Sequence, residues 1–432
     1  MKPSPSTKLV RIEKPIYGGS FLAREEGKAI FVPMTLPGEE ARVRIVQDKG
    51  KRGYATAEVD EIVSAALERV QPGCPYFGSC GGCHYQHADY ASQLRYKQEI
   101  LRETFARGGV TPPEQIDVLA AEPWAYRNRI RLAFDPSGRP GYRAHSSHAI
   151  VPIETCPISA PILVRAALAS AEILRAMQPK PRGNEIALFC NAEENELLTT
   201  IVLAPPAKLR LDQFGAALKE RVPELAGVEL AMAGNGSELP RTQSHWGAQS
   251  LSYNASGFAY RVDHGAFFQV NRWLVDALVD RVIENQSGAL TLAWDLFAGV
   301  GLFARQLASR FARVVAVESA PSSTQALKAN LAGTASEAIR ASTLDFLRRN
   351  RTSSHPDLIV VDPPRTGLGA EVTAELAHIA APSMVYVSCD PATLARDLRA
   401  LIASGYTIDS IALADLFPQT FHLETVVRLR HL

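Results

Sequence analysis

Two side chains near the end of the chain are candidates for covalent chemistry. Cys389 follows the apolar run Val385-Tyr386-Val387, and Glu424 directly precedes the apolar segment 425–429. A cysteine at the end of a buried strand, beside a ligand site, can act as a nucleophile, and the order of the segments allows Glu424 to face it across the pocket. The alternatives are a small buried hydrophobic cysteine and a surface glutamate. The pair is reactive only if the fold brings both to one pocket.

A glycine-containing turn predicts a nucleoside site. The segment 295–301, Asp-Leu-Phe-Ala-Gly-Val-Gly, follows an apolar strand, and Gly299 lets the backbone approach a ligand there. Glu318 ends the next strand, 19 residues beyond Gly299, where a carboxylate can accept both ribose hydroxyls. The third glycine of a phosphate-binding G-x-G-x-x-G is replaced by Ala304, and no clamp for a pyrophosphate is evident. A nucleoside without phosphates fits better, and S-adenosylmethionine is the obvious one.

A second strand end carries a carboxylate to the same region. In the segment 358–365, an apolar strand is followed by Asp362, two prolines and Arg365. The carboxyl ends of parallel strands form the ligand-binding edge of an α/β sheet. The prolines stiffen the loop and remove N–H donors, so it can form one wall of a base pocket.

Four of the six cysteines have the spacing of a metal centre. Cys74, Cys80 and Cys83 form a C-x5-C-x2-C group, and Cys156 follows far downstream. In a reducing compartment this pattern favours metal or cluster binding over disulfides. Four thiolates can hold zinc or an iron–sulfur cluster, and the spacing does not decide between them. It is not the C-x3-C-x2-C pattern of radical enzymes.

The elements that must position these residues fall into three regions. Five short β-rich segments within residues 8–65 suit a small OB-like barrel. Residues 93–107 predict a helix, and residues 120–255 mix strands with a helix around 160–177. From about residue 264, strands and helices alternate, which predicts an α/β fold with a doubly wound, largely parallel sheet.

The chain as a whole is nearly neutral, because 46 Lys and Arg residues are balanced by 45 Asp and Glu residues over 432 positions. Binding of nucleic acid must therefore depend on local groups of basic residues. The barrel carries a basic group at Arg42, Arg44, Lys49, Lys51 and Arg52. Arg127, Arg129 and Arg131 alternate along a predicted strand, as in a surface that tracks phosphates. The alternatives are a solvated hairpin and a charged edge strand. No signal peptide or membrane span is visible, so we expect a cytoplasmic protein.

In order along the chain, these motifs resemble the RNA 5-methyluridine methyltransferases, a family of class I S-adenosylmethionine-dependent enzymes. They are most similar to the bacterial 23S ribosomal RNA uracil-5-methyltransferases. The further segments that carry the resemblance are Tyr17-Gly18-Gly19 and Leu36-Pro37-Gly38-Glu39 of a TRAM domain, Tyr126-Arg127-Asn128-Arg129, Phe267-Phe268-Gln269-Val270-Asn271, Ser388-Cys389-Asp390-Pro391 and His422-Leu423-Glu424.

The resemblance implies three domains and a ribosomal RNA substrate. They are a TRAM OB-like RNA-binding barrel (1–65), a central α+β domain with the cluster (66–255) and a methyltransferase domain (256–432) on which the helix 93–107 is expected to pack. Transfer-RNA members of the family typically lack the barrel and the cluster, so ribosomal RNA is the expected partner. Neither a membrane nor an obligate protein partner is expected.

The resemblance also assigns roles to individual residues. Cys389 matches the nucleophile, and Glu424 matches the base. The expected contacts to S-adenosylmethionine are Gln269, Phe297, Gly299, Glu318 and Asp362, and the expected ligands of a [4Fe-4S] cluster are Cys74, Cys80, Cys83 and Cys156. Ser342 stands where an Asp or Asn commonly contacts the adenine, and Leu302 stands where some members have Asn.

Three other functions compete with this interpretation. One is uracil-5 methylation of transfer RNA. Another is amino-group methylation, because Asp362-Pro363-Pro364 is similar to the D-P-P-[YF] motif, although that motif needs an aromatic residue where this chain has Arg365. The third is a non-catalytic iron–sulfur RNA-binding or assembly factor, which would need neither Cys389 nor Glu424.

Overall fold

The structure is a computed structural model that describes residues 7–50, 53–145, 147–178, 183–205, 208–234, 240–284, 290–352 and 355–432. The chain forms two compact units. The first contains the described residues up to Thr104 together with Arg143–His148 and Phe417–His422. The second contains Phe105–Tyr142, Ala149–Leu416 and Leu423–Leu432.

The first unit contains a closed five-stranded barrel with strand order β1-β2-β3-β5-β4. Its strands are β1 (Thr7–Pro15), β2 (Ser20–Glu25), β3 (Lys28–Pro33), β4 (Glu40–Asp48) and β5 (Ala55–Ser64). Alternate residues of these strands point inward, and Phe21, Val32 and Val43 are fully buried in the barrel core. The predicted small barrel is confirmed.

Two arginines of the basic group on the barrel, Arg42 and Arg44, form ion pairs. Strand β4 runs antiparallel to β5, and this register sets Arg42 opposite Glu61 and Arg44 opposite Glu58. The corresponding pairs measure 3.2 Å and 2.5 Å between nitrogen and oxygen. The predicted excess of positive charge is therefore wrong for these two arginines, because the sequence does not show which acids lie across the strand. Lys51 and Arg52 lie outside the described residues.

Helix α1 (Tyr90–Arg107) follows the cysteine-rich segment and begins three residues before the predicted helix 93–107. Its start is fixed by Asp89, whose carboxylate accepts a hydrogen bond from the Ser92 amide at 2.7 Å. Within the first unit, the ring of Tyr96 packs against Phe21 at 5.7 Å between centroids. The N-terminal half of the helix thus contributes to the same core as the barrel.

A seven-stranded sheet with order β13-β12-β11-β10-β7-β8-β9 lies in the second unit. The elements of this part of the chain are β6 (Asp117–Leu119), β7 (Arg129–Phe134), β8 (Pro140–Arg143), β9 (Ile150–Pro152), α2 (Pro161–Ala176), β10 (Gly183–Cys190), β11 (Leu197–Leu203), α3 (Leu211–Arg221), β12 (Leu225–Met232) and β13 (Arg241–Gly247). Helices α2 and α3 pack on one face. Gly215 of α3 lies against the ring of Trp246, where a Cβ would come within 2.3 Å.

The C-terminal part of the second unit is a doubly wound α/β sheet with order β18-β17-β16-β19-β20-β22-β21-β6. Its further elements are β14 (Ser250–Ala255), β15 (Phe258–Asp263), α4 (Val275–Ile283), β16 (Leu292–Leu296), α5 (Leu302–Leu307), β17 (Arg313–Glu318), α6 (Pro321–Asn330), β18 (Glu337–Arg340), α7 (Thr343–Asn350), β19 (Leu358–Val361), α8 (Gly369–Ile379), β20 (Ser383–Ser388), α9 (Pro391–Ala403), β21 (Tyr406–Ala414) and β22 (Glu424–His431). The five strands from β18 to β20 are parallel, while β22 is antiparallel to β20. The predicted α/β class is confirmed. None of the helices described here combines the length and the apolar character needed to cross a membrane.

Candidate active site

One edge of the doubly wound sheet collects most of the candidate residues. Strands β16, β17, β19 and β20 are parallel, so their carboxyl ends lie along the same edge. Phe297, Glu318, Asp362 and Cys389 lie at or just beyond these four ends. Glu424 reaches the same edge from the opposite direction, because Ser388 pairs with Thr425 in the antiparallel β20–β22 ladder.

The glycine turn after β16 leaves room for a ligand. Phe297, Gly299 and Gly301 have φ values of 64°, 56° and 91°, in the left-handed region that side chains with a Cβ rarely adopt. A Cβ on Gly301 would come within 2.6 Å of a Leu327 methyl carbon, so the turn packs tightly there. A Cβ on Gly299 would meet no atom within 4 Å, so the backbone there borders open space.

Glu318 is held in position by backbone amides. Its Oε2 accepts a hydrogen bond from the Gly299 amide at 2.9 Å, and its Oε1 accepts one from the Ala320 amide at 2.6 Å. These bonds fix the carboxylate at the end of β17 and beside the glycine turn. The arrangement fits a ribose, whose two hydroxyls can donate to one carboxylate.

Asp295 is a buried carboxyl group that the sequence analysis did not single out. Its Oδ2 accepts a hydrogen bond from the Ala304 amide at 2.8 Å and so anchors the start of α5. Burial, with the nearby negative charges of Asp362 and Glu318, raises the pKa of Asp295 to about 8. Its position in the glycine-containing segment 295–301, near the end of an apolar strand, could have identified it as a candidate site residue.

Gln269 and Asp362 come together although they lie 93 positions apart. Gln269 is buried, and its Nε2 lies 3.4 Å from Asp362 Oδ2. The Asn128 side chain donates to the Gln269 main-chain oxygen at 2.9 Å, which fixes the segment. Burial raises the pKa of Asp362 to about 7.

Cys389 and Glu424 share one electrostatic environment with Asp362 and Arg365. Burial, followed by the negative charges of Glu424 and Asp362, raises the pKa of Cys389 to about 12, and Arg365 opposes this shift. Burial and the charge of Asp362 also raise the pKa of Glu424 well above its ordinary value, again opposed by Arg365. In the sequence, Arg365 is only the residue after two prolines and a departure from the D-P-P-[YF] motif. In the structure, its positive charge acts on both Cys389 and Glu424.

These groups concentrate acids, three carboxyls and a thiol, in surroundings that are partly shielded from water, and burial disfavours their charged forms. Such a concentration of carboxyl groups with shifted pKa values is typical of functional sites. A cation bound there would favour the ionised forms of these groups, because an opposite charge stabilises a carboxylate or a thiolate. S-adenosylmethionine carries a positive sulfonium, so its charge and its ribose both suit this edge.

The cysteines of the predicted cluster are divided between the two units. Cys74, Cys80 and Cys83 lie in the first unit, and Cys156 lies in the second. The Gly82 amide donates to Cys80 Sγ at 3.4 Å, and the Ser159 hydroxyl donates to Cys156 Sγ at 3.2 Å. Within the part of the chain that the structure describes, no three His, Cys, Asp or Glu side chains are grouped to hold a metal ion.

The three alternating arginines do not form one open row. Strand β7 begins at Arg129, whose guanidinium lies 4.4 Å from the centre of the Phe189 ring and donates to the Ala266 carbonyl at 2.6 Å. Burial lowers the pKa of Arg129 to about 10. Arg131 is exposed, and its Nε lies 2.6 Å from the Glu185 carboxylate. The phosphate contact of Arg129 stays a prediction, because the residue is partly exposed although its guanidinium packs on Phe189 and donates to Ala266.

Comparison with known proteins gives the family. Residues 236–432 match the family described as tRNA (Uracil-5-)-methyltransferase, and residues 6–59 match the TRAM domain. The chain is 33% identical to the 23S rRNA (uracil(1939)-C(5))-methyltransferase RlmD of Chromohalobacter salexigens, over 97% of this chain and 88% of that one. It is 32% identical to the RlmD of Halomonas elongata, over 96% and 88% of the two chains.

A solved structure shares the whole fold. The tRNA (uracil-54, C5)-methyltransferase of Pyrococcus abyssi, in complex with S-adenosyl-L-homocysteine, aligns over 98% of this chain and 100% of its own, with a TM-score of 0.76 and 23% identity. The sequence matches and the structural alignment each cover nearly the whole chain. The chain therefore belongs to the TRAM-containing RNA uracil-5 methyltransferases, enzymes that use S-adenosylmethionine to methylate C5 of uridine.

Proposed function

We propose that this enzyme methylates a uridine of 23S ribosomal RNA, in the cytoplasm. The observation that carries the proposal is the 32–33% identity, over nearly the whole chain, to relatives named for that substrate. The barrel does not separate the two RNA classes, because the Pyrococcus abyssi enzyme named for transfer RNA aligns over 98% of this chain. Its identity is lower, at 23%.

The proposed reaction begins at Cys389. C5 of uracil is too weak a nucleophile to take a methyl group unaided. Attack of the Cys389 thiolate on C6 forms a C6–S bond and moves the electron pair to C5 and O4 as an enolate. S-adenosylmethionine supplies a methyl group activated by its sulfonium. Once C5 has taken that methyl group, Glu424 removes the C5 proton, and the C6–S bond breaks to restore the ring and the thiolate.

We assign the binding of the cofactor to Gln269, Phe297, Gly299, Glu318 and Asp362. Glu318 would receive the ribose hydroxyls, and Gly299 leaves the space for close approach. Holding the two reactants in line contributes on the order of 7–11 kcal/mol to lowering the barrier. A paired uridine cannot reach Cys389, so the base must be flipped out or presented in a loop.

Mapping 5-methyluridine in ribosomal and transfer RNA, with and without this gene, tests the proposal. We expect one or more uridines of 23S ribosomal RNA to lose the C5 methyl group when the gene is deleted, while transfer RNA is unchanged. Loss from transfer RNA alone would overturn the ribosomal assignment. Unchanged 5-methyluridine in both classes would overturn the proposed function itself.

The thiol of Cys389 should be unreactive at neutral pH when no ligand is bound. Burial and adjacent carboxylates disfavour the thiolate, so its pKa of about 12 lies above the experimental range. The rate of alkylation by iodoacetamide, followed by mass spectrometry of the Cys389 peptide, should rise about tenfold per pH unit between about pH 7 and 10.

Two substitutions should shift this pH dependence in opposite directions. Glu424→Gln removes a carboxyl group that becomes negatively charged once the pH exceeds its raised pKa, and so it should lower the pKa of Cys389. Arg365→Ala removes the opposing positive charge and should raise it. A rate that is already constant below about pH 8 in the unmodified chain would contradict the described environment.

We also propose that Cys74, Cys80, Cys83 and Cys156 hold a [4Fe-4S] cluster. The order and spacing of the four residues support it, as do the hydrogen bonds donated to the sulfurs of Cys80 and Cys156, since such bonds stabilise thiolate ligands. We expect a structural role, because methylation of uracil transfers no unpaired electron.

Anaerobically purified protein is expected to contain about four iron and four sulfide per chain and to absorb visible light. Cys83→Ser should lower the iron content. Cys190→Ser is the matched control, because Cys190 is buried in the second unit and burial raises the pKa of its thiol to about 12. Stoichiometric zinc without iron would contradict the cluster and leave a zinc site.

A further inference from the structure

A cavity of about 360 Å³ lies in the second unit. It is on the face of the seven-stranded sheet that is opposite helices α2 and α3. Strands β7, β10, β11, β12 and β13 supply its floor. Its other wall consists of Asp263 at the end of β15, His264 and Gly265 directly after it, and Ser322 of α6. The volume is in the range of small-molecule sites.

The register of the strands explains why this face is hollow. Arg131, Ala187, Thr200, Glu229 and His245 are successive cross-strand partners, so they share one face. Ala187 lies in the middle of this row, and another small residue, Ala231, also lines the cavity. The small side chains leave space between the longer ones around them.

Glu229 gives the cavity a hydrogen-bond acceptor with spare capacity. Its carboxylate accepts from the Thr242 hydroxyl and from His245 Nε2, both at 3.1 Å, and from the Thr200 hydroxyl at 3.4 Å. A carboxylate can accept about four hydrogen bonds. One further donor can therefore be received without displacing the existing ones.

Arg129 and Phe189 give the cavity a flat, stacked wall. The guanidinium lies over the ring at 4.4 Å, and its Nε–H has no hydrogen-bond partner among the residues described. Unstacked RNA bases are bound by aromatic rings and guanidinium planes, with their edges hydrogen-bonded to nearby polar groups. The wall can thus stack on a base, or it can donate one bond to a base edge that lies in the plane of the guanidinium.

The charges around the cavity favour a neutral ligand over a phosphate. Arg131 is paired with Glu185, and Asp263 is paired with Arg261. The other two charges that line the cavity, Arg129 and Glu229, have opposite signs. A phosphate would meet two carboxylates with no net positive charge to offset them. A ligand that donates to Glu229 and accepts from Arg129 needs an amino group beside a ring nitrogen or a carbonyl. Adenine and cytosine have this edge, and uracil has no amino group.

We propose that this cavity binds an unpaired adenine or cytosine of the substrate RNA, a second base besides the uridine that is methylated. The inference rests on the proposed function for the RNA, but not on which class of RNA it is. The wall of the cavity at Gly265 lies four residues before Gln269, and Ser322 lies four residues after Glu318. The second base would therefore be held by segments that also carry candidate cofactor contacts.

Two variants test the cavity by different means. Ala187→Leu fills the space, and Glu229→Gln replaces the carboxylate that receives the amino group. With unmodified 23S ribosomal RNA as the probe, each should raise the Kd by about tenfold, as expected for the loss of one bound base. Affinity for S-adenosylmethionine and kcat at saturating RNA should stay within about twofold of the parent.

Glu172→Gln is the matched control, because Glu172 lies on α2 and pairs with Arg221 on α3. It should leave the affinity for RNA unchanged. Unchanged RNA affinity in both cavity variants would overturn the proposal. So would a loss of affinity for S-adenosylmethionine instead of RNA, which would make the cavity part of the cofactor site. If one variant lowers Tm, its loss of RNA affinity is not informative. The other variant and the chemical probing experiment then test the proposal.

Probing the RNA with dimethyl sulfate, with and without the parent enzyme, identifies the bound base directly. This reagent methylates unpaired adenine and cytosine at their base-pairing edges, so bound enzyme should protect at least one such base. The protection should be lost with Glu229→Gln. Binding without protection of any adenine or cytosine would overturn the proposal. The two hypotheses remain separable, because an enzyme that shows these effects but methylates no uridine would refute only the proposed function.

Discussion

Cys389→Ala is expected to reduce methylation of RNA by a factor on the order of 10⁴ or more, as removal of a covalent nucleophile does in other enzymes. Without addition of a thiolate at C6, C5 of uracil does not become a carbanion equivalent, and no neighbouring group can replace it. The proposed cofactor contacts are other residues, Glu318 and Asp362 at other strand ends and Gln269 in the segment between β15 and α4. Affinity for S-adenosylmethionine should therefore stay within about twofold.

Transfer of a labelled methyl group in a single turnover, together with calorimetry of cofactor binding, measures the two quantities separately. Cys190→Ser removes a buried thiol elsewhere in the second unit and should leave both unchanged. Substantial methylation by the Cys389→Ala variant would remove covalent catalysis from the proposed mechanism. A joint loss of methylation and cofactor affinity would instead make Cys389 part of the binding site.

The strands that carry the site were predictable, because buried parallel strands appear in the sequence as continuous apolar runs. The segment 358–361 was predicted with its observed bounds, and the apolar run 385–387 lies inside the next strand, Ser383–Ser388. β18 and β21 were not predicted. β18 is a short edge strand with charged residues at both ends, Glu337 and Arg340, and β21 has polar residues in its first half. β18 has no uninterrupted apolar run, and in β21 the apolar run 411–414 occupies only the second half of the strand.

The residues at the strand ends of the candidate site were predictable from the sequence. The charges that act on them were not, because those depend on which strands pair in the fold. Strand ends give the shared edge, but only the antiparallel pairing of Ser388 with Thr425 places Glu424 beside Cys389. The charge of Arg365 at this pair has no signature in the sequence. The surroundings of Arg129 could not be predicted for the same reason. Phe189 lies 60 positions away and packs on the Arg129 guanidinium only because β7 and β10 pair.

Glu424→Gln is expected to trap the RNA on the enzyme. In the proposed order, addition of Cys389 and methyl transfer both precede removal of the C5 proton, so a variant without the base should complete the first two steps and stop. A neutral amide is close in shape to a protonated carboxyl group, and Glu424 is buried with its pKa raised well above the ordinary value. The substitution should therefore preserve the fold while removing the proton acceptor.

The raised pKa also fixes the sign of the pH dependence in the parent enzyme. Glu424 must lose its proton before it can accept one from C5, so the rate of proton removal should increase with pH through the neutral and alkaline range. In the Glu424→Gln variant this increase should disappear, because no carboxyl group at that position ionises. Raising the pH should not release the trapped RNA at the rate of the parent.

The trapped species can be identified by its stability and its label. A protein–RNA band that survives denaturation and carries the labelled methyl group would show that methyl transfer precedes proton removal. The double variant Cys389→Ala with Glu424→Gln is the control, and it should form no such band, because the C6–S bond needs the thiol. If Glu424→Gln forms no band while Cys389→Ala still abolishes turnover, the base must be another group. Asp362 would then be the next candidate, because its carboxyl has a pKa raised to about 7 and its charge acts on both Cys389 and Glu424.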